Sequence, residues 1–353
     1  MINITGASDG RVAPIIAEIL EKVKGQSLIV VPTFNKAKRL ATDLSFFAAR
    51  KIFILPPEEE MLVQYEARSN EASLERIKIL KSLVSGEECI VIAPAASAVR
   101  KLPPDHVFRE NMMELRTGDD ISTDEIKQRL SYMGYERTAM IEGRGEFSLR
   151  GGILDIFTPD SELPFRIELF DTEIDSIRTF DTVSQRSVEN LDHIDIAQCS
   201  QLVKDRDLFD SAGGKIIKTY DRNIKKLEKK DHDEDVIRNL KQRKEQLAGY
   251  TENMINIQYL ENFLNYFYDE TAYIWDYMND PVIFIDDPAR ILETLEVREK
   301  EMADDIEALV SAGRGVGEDF RTVSGQDDYF RLYDMAVSYT HLDVYKRQAE
   351  EYL

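Results

Sequence analysis

The sequence predicts an α/β fold, a parallel sheet with helices packed on it, interrupted by an inserted α+β segment and accompanied by a charged helical hairpin. Three observations predict it. Over the first hundred residues, short apolar runs alternate with helical patterns. From about 106 to 197 the strand-like runs become closely spaced. Between 214 and 248, Lys, Glu, Asp and Arg dominate, and the apolar residues Ile217, Tyr220, Ile224 and Leu227 recur at spacings of three and four.

Taken in order, Ile15, Ile16, Ile19, Leu20 and Val23 fall on one helical face, as do Leu74, Ile77 and Leu80. Leu28 to Val31, Ile52 to Leu55 and Ile90 to Ile92 suit buried parallel strands. "KLPP" (101–104) marks the change of rhythm, and the insert carries one helix near 122–133. "KKDHDED" (229–235) interrupts the charged helix, and Leu240 and Leu247 resume its seam, so a helical hairpin is expected. The aromatic stretch from Tyr259 to Tyr277 lacks interleaved Arg or Lys, which favours core packing over base stacking. "PVIFIDDPARI" (281–291) is again a buried strand, so the first domain resumes after the insert. The expected organisation is therefore 1–105 and 198–336 as two parts of one α/β domain, the second bearing the hairpin, with 106–197 inserted. Residues 337–353, including "VSYTHLDVYKRQ", read as a translated sequencing adapter, a non-native tail without function.

At 353 residues the chain is long enough for two or three domains. Its 45 basic and 66 acidic residues give a net charge of −21, which repels a polyanion unless a concentrated basic patch overcomes it, and favours a protein partner. No run approaches the ~20 apolar residues of a membrane span, and no charged-then-apolar leader opens the chain. A cytoplasmic location and no membrane partner are expected. Cys89 and Cys199 read as separate buried thiols. The four histidines (His106, His193, His232, His341) show no ligand spacing, so no metal site is expected.

"TGASDGRVAPII" (5–16) has the outline of a phosphate-binding loop. Such a loop needs glycines for close backbone approach, a Lys for the outer phosphates and a hydroxyl for magnesium. Here the interval between Gly6 and Gly10 is one residue short, and Arg11 and Val12 follow the second glycine. Pro14, where the helix is expected to begin, removes one of the N–H donors. After "IFI" stands Asp286, but Asp287 replaces the Glu that an ATPase would place next, and Pro288 follows. Together these defects indicate a nucleotide fold without the nucleotide: no cofactor and no catalytic residue are expected.

"SLRGGILDIFTPDSELPFRIELFDTEIDSIRTFDTVSQRS" (148–187) resembles the domain shared by the excision-repair protein UvrB and the bacterial transcription-repair coupling factors. Weaker similarity extends to the degenerate loop, "LSYMGYERTAMIEGRGEFS" (130–148), the charged hairpin and "YIWDYMNDPVIFIDDPA" (273–289). The chain is more similar to the coupling factors, because "LPPEEEMLVQYEARSNEASLERI" (55–77) leaves no room for UvrB's long tyrosine-rich hairpin. The resemblance implies a degenerate helicase-type (RecA-like) domain whose UvrB-like N-terminal module docks the protein UvrA. It further implies that RNA polymerase and DNA are bound by other domains of the intact parent, an ATP-dependent DNA translocase of which this chain is a fragment. The alternative is a UvrB-like ATP-dependent damage-recognition protein using Asp286.

In "PFRIELF", alternation places Phe165, Ile167 and Leu169 on one strand face and Arg166, Glu168 and Phe170 on the other. If the first face is buried, an arginine and a phenyl ring ~13 Å apart are exposed, at ~3.3 Å per residue. Arg150, heading "RGGILDIF", can join them from a neighbouring strand, its planar fork suited to a carboxylate. The other reading is that Arg150 and Arg166 pair with local acids such as Asp155, Glu168 or Asp171, and that Phe170 caps a small core. The resemblance places Arg150, Arg166 and Phe170 at positions that carry UvrA contacts. Alanine at all three is then expected to abolish UvrA capture with little change in thermal unfolding. Gln185, Arg186 and Ser187 read as a loop-fixing hydrogen-bond set.

Overall fold

The computed structural model describes residues 9–57, 70–229 and 233–334. Residues 337–353 lie outside the described residues. The first stretch forms α1 (Asp9–Lys22), β1 (Ser27–Val31), α2 (Phe34–Leu44), β2 (Lys51–Ile54), α3 (Glu71–Val84), β3 (Cys89–Pro94) and the single turn α4 (Ala95–Ala98). All five residues of β1 and all six of β3 are buried, as expected for strands covered on both faces. Thr33 caps α2, its hydroxyl accepting from the Lys36 N–H.

Next come α5 (Asp105–Glu110), β4 (Met113–Arg116), α6 (Thr123–Tyr132), β5 (Glu136–Arg137) and β6 (Glu146–Arg150). They are followed by β7 (Ile153–Ile156), β8 (Phe165–Phe170), β9 (Glu173–Phe180), β10 (Ser187–Leu191) and β11 (His193–Ile196). The last part holds α7 (Arg206–Glu228), α8 (Glu234–Asn253), the short turns α9 (Ile257–Leu260) and α10 (Leu264–Phe267), β12 (Val282–Ile285) and α11 (Pro288–Ser311).

The first sheet is parallel, in the order β12-β1-β3-β2, so a strand from the far end of the chain pairs directly with β1. Its residues alternate between two cores. Ile29, Val31, Ile90 and Ile92 pack with Ala13, Ile16, Leu20, Leu40 and Leu44 of α1 and α2. Leu28, Val30, Val91 and Ala93 pack with Ile77, Leu80 and Leu83 of α3, with Ile291 and Leu295 of α11, and with Trp275 and Tyr277. Each fully buried Leu, Ile or Val contributes about 1.5–3 kcal/mol, so a helix–sheet–helix sandwich accounts for the stability of this part.

The second sheet runs β10-β9-β8-β7-β6-β5, antiparallel except for β5 and β6, beside a two-stranded β11-β4 ribbon. One face packs Phe147, Leu154, Ile156, Ile167 and Ile177 against Ile126 and Leu130 of α6. Leu74 of α3 reaches this core while Ile77 and Leu80 serve the first, so α3 ties the two together.

Two local expectations are corrected. Pro14 does not begin its helix, because α1 already runs from Asp9 and Pro14 lies within it. The Gly10 carbonyl therefore lacks its usual i+4 donor, at a turn where Gly10 and Arg11 face solvent. In α7 the buried stripe is Phe209, Ala212, Gly213, Ile216, Tyr220 and Ile224, and Ile217 is 40% exposed. The stripe is set by the third core, where α7 meets α8 and the aromatic residues Tyr259, Phe263, Tyr266 and Phe267. Both cysteines are buried. No helix of the described residues is long and apolar enough to cross a membrane.

Candidate functional site

The second sheet is amphipathic, and its polar face carries the residues singled out in the sequence. One cross-strand row runs Ser148, Asp155, Arg166, Arg178 and Asn190 over β6 to β10. The next row is Arg150, Ile153, Glu168 and Ser176. Two arginines directly opposite each other repel. Here each takes its own carboxylate: Arg166 takes Asp155 and Arg178 takes Glu168. That hydrogen bond from Arg178 helps hold the Glu168 carboxyl below the usual glutamate range.

Asp155 organises the face. It is 2% exposed and accepts two bonds from Arg166, Nε to Oδ1 at 2.6 Å and Nη2 to Oδ2 at 2.9 Å. Arg150 Nη2 adds a third at 3.2 Å to Oδ2. This two-pronged fit is the strong form of an ion pair, and the hydrogen bond to Asp155 raises the already high Arg166 pKa. Arg166 also donates to Gln185 Oε1 at 2.8 Å and lies over the Phe180 ring, 4.1 Å from its centroid. Gln185 is held in turn by its own loop, its backbone N–H donating to Asp181 O and its side chain to Thr182 O.

The three arginine and phenylalanine positions therefore differ in what they offer. Side-chain exposure is 53% for Arg150 and 14% for Arg166, and Phe170 is 79% exposed. The expectation that Arg166 is exposed alongside Phe170 is corrected: Asp155, Gln185 and Phe180 enclose its guanidinium. Phe170 stands at the end of β8, where Asp171, in the left-handed region at φ 60°, turns the chain into β9. The hairpin tip is anchored by backbone bonds from Ile121 to Thr172 and from Gly118 to Ile174. The ring is thus presented on a fixed element, which limits the ordering cost of binding.

The glycines of "RGGI" make this geometry possible. Gly151, at φ 62°, and Gly152 form the two-residue turn between β6 and β7. A Cβ on Gly152 would lie 2.6 Å from the Leu169 carbonyl oxygen. Gly152→Ala is expected to push β8 away next to Phe170 and to destabilise the sheet by about 1–3 kcal/mol, measured as a lower melting temperature.

The acidic pair makes local contacts within the parallel-sheet part. Gly6 lies outside the described residues, and Gly10 and Arg11 belong to the first described turn of α1. Asp286 directly follows β12 and pairs with Lys36 Nζ of α2 at 3.4 Å. That ion pair sits outside the carboxyl ends of β1 and β12, the crevice where open α/β sheets receive ligands. Asp287, at φ 58°, caps α11 by accepting from the Arg290 N–H at 3.2 Å. Among the described residues no group of three His, Cys, Asp or Glu side chains is placed to hold a metal ion.

One of the matches to known proteins falls on the same segment, and others run over most of the chain. The family described as UvrB interaction domain matches residues 113–201, which contain all the residues of the polar face named above. A transcription-repair-coupling factor of Bacillus subtilis (strain 168) is 36% identical over 289 residues, covering 81% of this chain and 24% of the relative. The corresponding factor of Staphylococcus haemolyticus (strain JCSC1435) is 31% identical over 94% of this chain and 28% of its own length. That of Staphylococcus aureus (strain USA300) is 32% identical over 90% and 27%. The chain spans about a quarter of the length of these relatives.

Proposed function

Because the chain carries the UvrB-like N-terminal module of the transcription-repair coupling factors, we propose that it is an adaptor that docks UvrA through the polar face of its six-stranded sheet. In the intact parent this docking brings UvrA to a stalled RNA polymerase. Polymerase binding and ATP-driven translocation on DNA belong to other parts of that parent. The observation that carries the reading is Phe170, 79% exposed on an anchored hairpin tip within the matched segment. Phe46 is equally exposed, so what distinguishes Phe170 is its place on an anchored hairpin of the matched segment, on the same sheet face as the exposed Arg150, the pairing of residue types that anchors interfaces. Arg150, bonded through only one nitrogen to Asp155, has further N–H donors for a carboxylate on the partner. Arg166 and Asp155 form the frame that aims it.

The parallel-sheet part is, on this reading, a RecA-like domain emptied of its chemistry. The Lys36–Asp286 pair stands in for the contacts that a nucleotide and its magnesium would make. The domain division that fits is 1–105 with 198–336, interrupted by 106–197. A pull-down of purified UvrA with this chain tests the adaptor reading, and failure to retain UvrA at micromolar concentrations overturns it. A fluorescent ATP analogue with magnesium is expected to show no saturable binding up to about 1 mM, some three orders of magnitude weaker than a micromolar site. Saturation in the micromolar range would instead support a UvrB-like ATPase.

A further inference from the structure

We propose that the outer face of α7 is a docking surface for the phosphate backbone of duplex DNA. Between residues 215 and 229, α7 and its C-cap Lys229 carry six basic and two acidic residues in a chain of net charge −21. Lys218, Arg222, Lys225 and Lys229 follow the spacing i, i+4, i+7, i+11, which at 100° per residue keeps them within an arc of about 60°. At about 1.5 Å per residue the row is about 16 Å long. Lys226 lies on its flank, and all five side chains are exposed.

Both acidic residues of the segment are held by lysines of α8, Asp221 by Lys244 at 2.7 Å and Glu228 by Lys241 at 2.9 Å. Asp221 stays at the edge of the row beside Lys225, so the row's net charge is positive and one acid borders it. Arg222 is taken by Glu318 at 2.7 Å. Among the described residues, no carboxylate forms an ion pair with Lys218, Lys225, Lys226 or Lys229. Three ammonium groups, of Lys218, Lys225 and Lys229, are left in a line, with that of Lys226 on its flank.

A backbone of phosphates suits this surface better than an acidic protein does. Protein interfaces draw their energy from buried aromatic and arginine anchors. The row has no aromatic residue, and among the residues lining its groove the exposed Ile217, at one edge, is the one large apolar side chain. Phosphates require only cations in sequence, and each neutralised phosphate releases counterions. The overall negative charge confines binding to this face and makes it weak at physiological salt. The surface does not depend on the UvrA reading, because it lies on a different core from the six-stranded sheet.

The test is fluorescence anisotropy of a labelled 20-base-pair duplex titrated with the 353-residue chain at several salt concentrations. The expected result is binding at about 50 mM salt with a log–log salt slope of about −3 to −4, from about 0.9 per phosphate contact. Lys218→Gln, Lys225→Gln and Lys229→Gln combined should weaken binding at least about tenfold and bring the slope toward about −1, with circular dichroism and UvrA retention unchanged. Absence of duplex binding at low salt, or a triple variant that binds like the parent, overturns the proposal. So does polyglutamate of equal charge displacing the duplex at equal concentration, which would assign the face to an acidic protein.

Discussion

Replacing Arg150 and Phe170 together by alanine is expected to weaken UvrA capture by about a hundredfold or more and to shift the melting temperature by less than about 2 °C. The size follows from the kind of residue. Truncating an aromatic or arginine anchor at the centre of an interface typically costs about 2 kcal/mol or more, and every 1.4 kcal/mol is about tenfold in affinity. The small effect on folding follows from exposure: Phe170 buries little of its ring in its own sheet, and Arg150 is more than half exposed with one long hydrogen bond. With Asp155 keeping both of its bonds from Arg166, losing the long bond from the half-exposed Arg150 is expected to cost about 1 kcal/mol. The pair is the cleaner probe than the triple substitution that the sequence suggested. Arg166→Ala would leave the buried Asp155 carboxylate without its principal partner, so lost binding could no longer be separated from lost folding. Equal UvrA affinity of the double variant and the parent, by titration calorimetry, would remove this face from the interaction.

The contrast between these residues shows what the sequence could carry. The parallel strands were legible because strands buried on both faces must be continuous apolar runs, and Leu28 to Val31 and Ile90 to Ile92 are such runs. The helical hairpin was legible from its charge and spacing, but not the residue that faces inward. Ile216 and Ile217 are adjacent and both fit a spacing of three and four with Tyr220. Contact with aromatic residues some fifty positions away decides between them. Strand alternation put Arg166 and Phe170 on one face and left their exposure open. Asp155 comes opposite Arg166 only once β7 and β8 are paired in a particular register, and Gln185 arrives from a further loop. The same holds for Lys36 and Asp286, whose pairing needs β12 beside β1. A short motif shows which chemistry is missing from a site, while the groups that replace it come from elsewhere in the chain.

Asp155→Ala is expected to be the most damaging single substitution in the sheet, costing about 3–5 kcal/mol in the unfolding of this part of the chain. Asp155 is almost fully buried and receives three charged hydrogen bonds. Removing it leaves Arg166, itself only 14% exposed in its side chain, facing a cavity with Arg178 on the neighbouring strand and its own partner gone. The arginine–arginine opposition is then relieved only on the Arg178 side, by Glu168. Asp155→Asn keeps the shape and one carbonyl acceptor but removes the charge, so it should fold and lie between the parent and the alanine variant. UvrA binding gives a second, independent reading. If Asp155 is the frame that aims Arg150, the asparagine variant should lose affinity even under conditions where it is fully folded, and pairing it with Arg150→Ala should cost less than the sum of the two. Additive losses would show that Asp155 acts on folding alone. An alanine variant that melts with the parent would show that the buried ion pair does not hold the sheet together.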